Sequence, residues 1–486
     1  MSKKRSVNRR EFLKLAGLAA IGGTVVASTS CSGSQSEGMP AGGEIKFSKE
    51  TDALIIGAGG AGLWAAYELV EAGFKPLIVE KAASWGGDTI LACGVLPIHG
   101  TIVQKQQGIQ DMSPEEAWEK AKDFFKDKRV PELARIVYIN AARAIDILTE
   151  KFGVKWMPMD PNSYTKFFHI PEPGMQNDHK LLEPLYKYSV EKGAEYLFET
   201  KAISFIVNQR NEPVGVRVQD QVSGKFMDIR AKKILLATGD FISNQEMVAK
   251  YLPQWAGVPV STYGSMGEGI LMAMAIGAST TDMESTVASN LMSHFAPTVV
   301  WGYYNSIIHV SASGKRMCNE NQIFKAPDIC LELGDTFWWT IFDESLVNGY
   351  HKTSYQTREK QGGVVVANTI EELAEKTLLP YENLKATIEK YNSDAEKGED
   401  TEFGKKVCFY PLKPPYYAVK NKLVRYKATG GLSINERAQV IDRAGNPIPN
   451  LFAAGSCQGE TTPNVADAFA VGMLAGQIMA QELKSS

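Results

Sequence analysis

A short, wholly apolar run, Ala53–Ile56, leads into Gly57-x-Gly59-x-x-Gly62, and a helical stretch follows to about Ala72. A second apolar run, Pro76–Val79, ends in Glu80. Apolar runs without polar alternation suit strands buried on both faces of a parallel sheet. KKILLATGDF (232–241) predicts another buried strand that ends in a Thr-Gly turn. GSMGEGILMAMAIGA (264–278) and PNLFAAGSCQG (449–459) read as further strand–turn or helix–turn units, and VADAFAVGMLAGQIMAQEL (465–483) as a closing helix. Between them, residues 369–400 carry i,i+3/i+4 patterning that predicts two helices broken at Pro380. LKPPYYAVK (412–420) is extended, because a residue before proline avoids the helical region.

The composition is that of a globular protein: 486 residues, 44% hydrophobic and 22% charged, enough for two domains. Residues 1–31 hold six Lys/Arg against one Glu, which leaves the remainder near −8 and argues against nucleic acid as a partner. The apolar run Leu15–Ala27 is too short and glycine-rich to span a membrane. With Arg9 and Arg10 ahead of it in SVNRREFLKLAG, it resembles a twin-arginine export signal, a route for proteins that fold around a cofactor before export. Cys31, ahead of the polar linker SGSQSEG, resembles a lipoprotein anchor, although Ser28 stands where leucine is usual. Lipid-anchored and freely soluble forms both stay open. The other five cysteines form no C-x-x-C pair and read as core residues, and no metal site is expected.

The glycine turn carries the first chemistry. Its glycines allow a tight turn, close approach of backbone to a pyrophosphate, and close helix–strand packing; Glu80 can hold a ribose hydroxyl. FAD and NAD both satisfy that much.

WGGDTILACG (85–94), the 232–241 strand, the 264–278 unit, KATGGLSI (427–434) and the C-terminal PNLFAAGSCQG with its helix follow in an order that resembles the fumarate reductase/succinate dehydrogenase flavoprotein family. That family includes soluble urocanate reductases and 3-ketosteroid dehydrogenases, and the likeness covers residues 50–483. It implies an α/β fold with a split, Rossmann-like FAD-binding domain and an inserted α+β capping domain. The expected boundaries are 1–31 signal, 32–49 linker, 50–292 and 426–486 FAD-binding, and 293–425 cap. The resemblance implies non-covalent FAD at Gly57, Ala58, Gly59, Gly62, Glu80, Lys81, Gly87, Asp88, Thr89, Ala202, Ala237, Thr238, Gly239, Glu268, Gly455, Ser456 and Val465. The export signal implies a periplasmic or outer-envelope location, and an external electron donor, such as a c-type cytochrome or quinol dehydrogenase, is expected.

The reactive site departs from the family. Where fumarate reductases place a histidine, SHFAPT has Ala296, and VVWGYYN (299–305) replaces the Thr-Glu-x-x-Arg relay. After the FD-x-S turn, Val347 or Asn348 takes the catalytic arginine's place; Lys427 or Ala428 stands at the second histidine. The clamping arginine falls in the shortened GETTPNVAD (459–467), while SGKRMCNE (313–320) keeps the G-x-R-x-x-N-E frame. Without those arginines a buried dicarboxylate would lack counter-charge. Trp301, Tyr303 and Tyr304 instead favour an aromatic-lined pocket. The expected reaction is hydride transfer from flavin N5 to an α,β-unsaturated, aromatic or polycyclic substrate other than fumarate. Tyr304, Tyr303, Tyr426 and Lys427 are the candidate proton donors. A 3-ketosteroid-type dehydrogenase and a catalytically silent flavin-binding protein are the alternatives.

Overall fold

The computed structural model describes residues 46–92, 96–124, 130–159, 167–172, 179–260, 262, 264–289, 306–322, 325–347, 359–360, 362–461 and 464–485. The export signal, most of the linker, Cys31, Ala296, Trp301, Tyr303, Tyr304 and Asn348 lie outside the described residues.

The parallel core of the main sheet is built from β1 (Lys49–Ile56), β2 (Leu77–Val79), β3 (Glu195–Leu197), β6 (Phe226–Leu236) and β14 (Pro447–Ala453). They run in the order β14-β6-β1-β2-β3, each pair parallel. Leu54, Ile55, Ile78, Ile234, Leu235 and Phe452 are fully buried, which accounts for their unbroken apolar sequences. β4 (Thr200–Val207) and β5 (Pro213–Asp220) join antiparallel through β6, and β13 (Gln439–Ile441) pairs antiparallel with β14. The strand expected at 232–241 therefore starts earlier, at Phe226, and ends at Leu236. Beyond it the chain turns through Gly239, whose φ of 76° belongs to the left-handed region. The 264–278 unit is mostly helix, α3 (Glu268–Ala275).

Helix α1 (Gly60–Glu71) packs on the closing helix α6 (Val465–Lys484). Glycine makes that approach possible, since a Cβ on Gly472 would sit 2.4 Å from the Ala61 carbonyl oxygen and one on Gly476 2.7 Å from that of Ala65. Long helix α2 (Pro131–Glu150) lies against α6, and Asn140 Nδ2 donates to the Ala470 carbonyl at 3.2 Å. Among the described residues no helix is long and apolar enough to cross a membrane.

A second, antiparallel sheet occupies residues 307–422. Its strands are β8 (Ile307–Val310), β9 (Phe337–Asp343), β10 (Val365–Ala367) and β11 (Tyr416–Lys422), in the order β8-β9-β11-β10. Its own core includes Ile308, Ile341, Leu384, Ile388 and Tyr391. Helices α4 (Ile370–Thr377) and α5 (Tyr381–Lys397) break at Pro380, as the pattern predicts. Thr369 caps α4 by accepting the Glu372 N–H, and α5 ends at left-handed Gly398. The G-x-R-x-x-N-E frame, 314–320, is structural here. Arg316 forks onto Glu320 and Asp400 with four contacts of 2.8–2.9 Å, all three side chains buried. Flanking this sheet in sequence, β7 (Thr286–Ser289) and β12 (Val424–Ala428) pair antiparallel, with Val287 opposite Lys427 and a bulge between Val287 and Ala288.

Candidate active site

The main sheet opens into a cavity of about 420 Å³ at the carboxyl ends of β1, β2 and β6. Three features of the glycine turn define one wall. Gly57 has a φ of 109°, and a Cβ there would lie 2.2 Å from the Ala237 carbonyl oxygen. Only glycine fits. Gly62 faces inward, where a Cβ would meet the Gly57 oxygen at 2.0 Å, so its task is helix–strand packing. Gly59 at the N-cap brings no side chain of its own to the start of α1, and no acid sits in the first turn. The positive end of the helix therefore faces the cavity, suited to a pyrophosphate.

Glu80 follows β2 and lines the same cavity. Its two carboxylate oxygens accept the backbone N–H groups of Ala58 and Ala82, each at 2.8 Å. The carboxylate is held rigidly and keeps lone pairs for ribose hydroxyls. Lys81 donates to both oxygens of Glu268 at 2.9 and 3.0 Å and to the Gly264 carbonyl at 2.6 Å. These two candidates thus neutralise each other in the wall. Thr89 Oγ1 accepts the Gly60 N–H at 3.1 Å, and Asp88 accepts from the hydroxyls of Thr262 and Ser265.

Of the expected cofactor residues, Gly57, Gly59, Glu80, Lys81, Gly87, Asp88, Thr89, Ala202, Ala237, Thr238, Gly239, Glu268, Gly455 and Ser456 line this one cavity. Ala58, Gly62 and Val465 do not. Ala58 is fully buried beneath Glu80, and Val465 packs against the core at the start of α6. The sequence reading missed Trp85, Thr262, Ser265 and Gly269, which also line it. At Gly269 a Cβ would meet Thr238 Oγ1 at 2.3 Å, a closeness only the folded chain reveals. A cradle of backbone closed to side chains, a helix N-terminus at the cavity wall and a fixed carboxylate together fit a dinucleotide.

Tyr426 and Lys427 lie side by side on β12, with Nζ 5.4 Å from the Tyr426 ring centre. Neither lines the cavity. The link between them and it is Asp240, next to Gly239. Its side chain accepts from Ile242 N–H at 2.8 Å and Ala428 N–H at 3.2 Å. Complete burial pushes its carboxyl up to about 8; the Ile242 N–H opposes the rise, and the nearby Asp88 charge adds to it.

The FAD binding domain family matches residues 52–465. A probable fumarate reductase of Shewanella frigidimarina (strain NCIMB 400) is 29% identical over 435 residues, covering 85% of this chain and 70% of that protein. A urocanate reductase of Eggerthella lenta is 28% identical over 457 residues, covering 88% and 74%. The open conformation of a flavocytochrome c3 fumarate reductase superposes with a TM-score of 0.70 at 26% identity, covering 99% of this chain and 83% of that one.

Proposed function

The chain belongs to the FAD binding domain family, and from that premise we propose that it is an exported oxidoreductase that reduces the activated C=C bond of an α,β-unsaturated substrate other than fumarate. One observation carries this reading. The cavity at the strand ends gathers fourteen of the expected cofactor residues around a backbone cradle, while the positions of the carboxylate-binding arginines hold other residues.

Hydride for one alkene carbon would come from FAD when bound. The α1 N-terminus would hold the pyrophosphate and Glu80 the ribose; Ala237–Gly239 and Gly455–Ser456 shape the remaining walls. The neighbouring alkene carbon takes a proton from a positioned acid. Tyr426 and Lys427, on the strand whose Ala428 N–H donates to Asp240, and Tyr303 and Tyr304, from the sequence, are the candidate donors of this reading. The segment 293–425 acts as a cap that excludes water. Its support is the separate sheet between β7 and β12.

Electrons come from an external donor, a c-type cytochrome or a quinol dehydrogenase, and the arginine pair directs the loaded protein out of the cytoplasm. The relatives named as a fumarate and a urocanate reductase support the reaction class, since both names denote reduction of an unsaturated acid. The test is anaerobic reoxidation of the reduced protein by unsaturated acceptors. A bound flavin that no such compound reoxidises would leave a flavin-binding protein without this activity.

A further inference from the structure

Asp240 stands directly after Gly239 of the cofactor cavity wall, yet is itself only 3% exposed. Among the described residues it forms no salt bridge. Its carboxyl oxygens accept backbone N–H groups, from Ile242 at 2.8 Å and Ala428 at 3.2 Å. An acid held this way, out of water and without a fixed counter-ion, ionises at a cost.

A second acid, Asp88, lines the cavity itself. Thr262 and Ser265 each donate a hydroxyl to one of its carboxylate oxygens. Both donors belong to the loop ahead of α3, and that loop also packs on the Asp240 turn. The Gly267 N–H donates to the Asp240 carbonyl at 2.9 Å, and a Cβ on Gly239 would meet Ser265 Oγ at 2.9 Å. One loop therefore ties both acids to a single glycine turn.

Burial is the largest influence on the ionisation of Asp240 and opposes it. Asp88 opposes it as well, while the two N–H groups and Lys427 of β12 favour it. Any further negative charge in the cavity adds to the side that opposes. When FAD is bound, two-electron reduction with one proton leaves such a charge there, and a nearby acid then binds its own proton more tightly.

We propose that Asp240 is the proton-accepting partner of cofactor reduction: as FAD takes two electrons from a low-potential donor and one proton, the ionised Asp240 carboxylate takes a second proton from solvent, and the Asp88 charge holds the reduction potential down. This device needs bound FAD and no particular substrate, so it stands whether or not an alkene is reduced. Uptake requires Asp240 to be ionised in the oxidised protein, hence a pH above about 8. Below that value the proton is already in place. Asp240 therefore leaves the potential alone at low pH and lowers it as pH rises past that point.

The test is the midpoint potential of the FAD-loaded protein, read from flavin absorbance during dye-mediated dithionite titration, from about pH 6 to about pH 10. The wild-type potential should fall more steeply above about pH 8 than just below it, the added proton contributing about 30 mV per pH unit for a two-electron couple. Asp240→Asn keeps the shape and cannot ionise. It should lose the steeper segment and favour the reduced form about tenfold over wild type at the alkaline end, about 30 mV. Asp88→Asn removes the like charge, and should raise the potential throughout and move the break to lower pH. FAD content reports that each variant folds. If Asp240→Asn holds no FAD, the wild-type break and its displacement in Asp88→Asn decide the matter. A wild-type slope that does not steepen above about pH 8, a break that survives Asp240→Asn, or one that Asp88→Asn leaves in place overturns the proposal.

Discussion

Asp240 Oδ2 accepts the Ala428 N–H at 3.2 Å, so the turn after β6 at the cofactor cavity is tied directly to the end of β12. The contact spans 188 residues of sequence. It is made by a carboxyl that is 3% exposed and keeps its proton to about pH 8, because burial disfavours the charge.

The sign of its pH dependence follows. An unfolded Asp titrates near about 4. Between that value and about 8 the folded chain binds the extra proton, so this group's contribution to stability falls as pH rises. Asp240→Asn cannot ionise. Melting temperatures of variant and wild type, taken at pH 5 and pH 8, should show the variant gaining relative to wild type at the higher pH. A difference that stays constant would contradict the assignment.

Glu80→Ala removes the carboxylate held by the Ala58 and Ala82 N–H groups. Each lost hydrogen bond to a charged group costs about 1.5–3 kcal/mol, so FAD affinity should fall about tenfold or more. The ratio of FAD to protein after gel filtration and back-titration reads this out. Full retention would remove Glu80 from the site.

The glycine turn and Glu80 were legible because backbone geometry dictates them: no side chain fits at Gly57, and the strand end fixes where the acid falls. The Asp88 contacts to Thr262 and Ser265 and the Asp240–Ala428 link were not. Their residues are ordinary in local sequence, and the contacts join segments that only the sheet topology brings together. The G-x-R-x-x-N-E frame was legible as a pattern but not as a role, since the Asp400 partner of Arg316 lies 84 residues away.

That role is a stability claim. Arg316→Leu would leave Glu320 and Asp400 buried without their shared guanidinium, with Lys405 Nζ 3.5 Å from Glu320. Breaking a buried pair from one side costs about 3–5 kcal/mol. Denaturant unfolding should show a loss of that order. A loss below about 1 kcal/mol, the range of exposed pairs, would contradict the buried network.

For export, Arg9 and Arg10 replaced together by Lys should leave the FAD-loaded precursor in the cytoplasm. Fractionation with flavin fluorescence follows both protein and cofactor. Normal export of the double variant would remove the twin-arginine reading.

The central claim is an FAD enzyme for an alkene that is not fumarate. The most direct measurement is the anaerobic reoxidation rate of the viologen-reduced protein with fumarate, urocanate, cinnamates, enones and 4-vinylphenol, each at the same concentration. At least one ring-bearing alkene should reoxidise it at least about tenfold faster than fumarate, as expected when one binding interaction worth about 1.4 kcal/mol separates two substrates. Fumarate turning over as fast as every other acceptor would contradict the account.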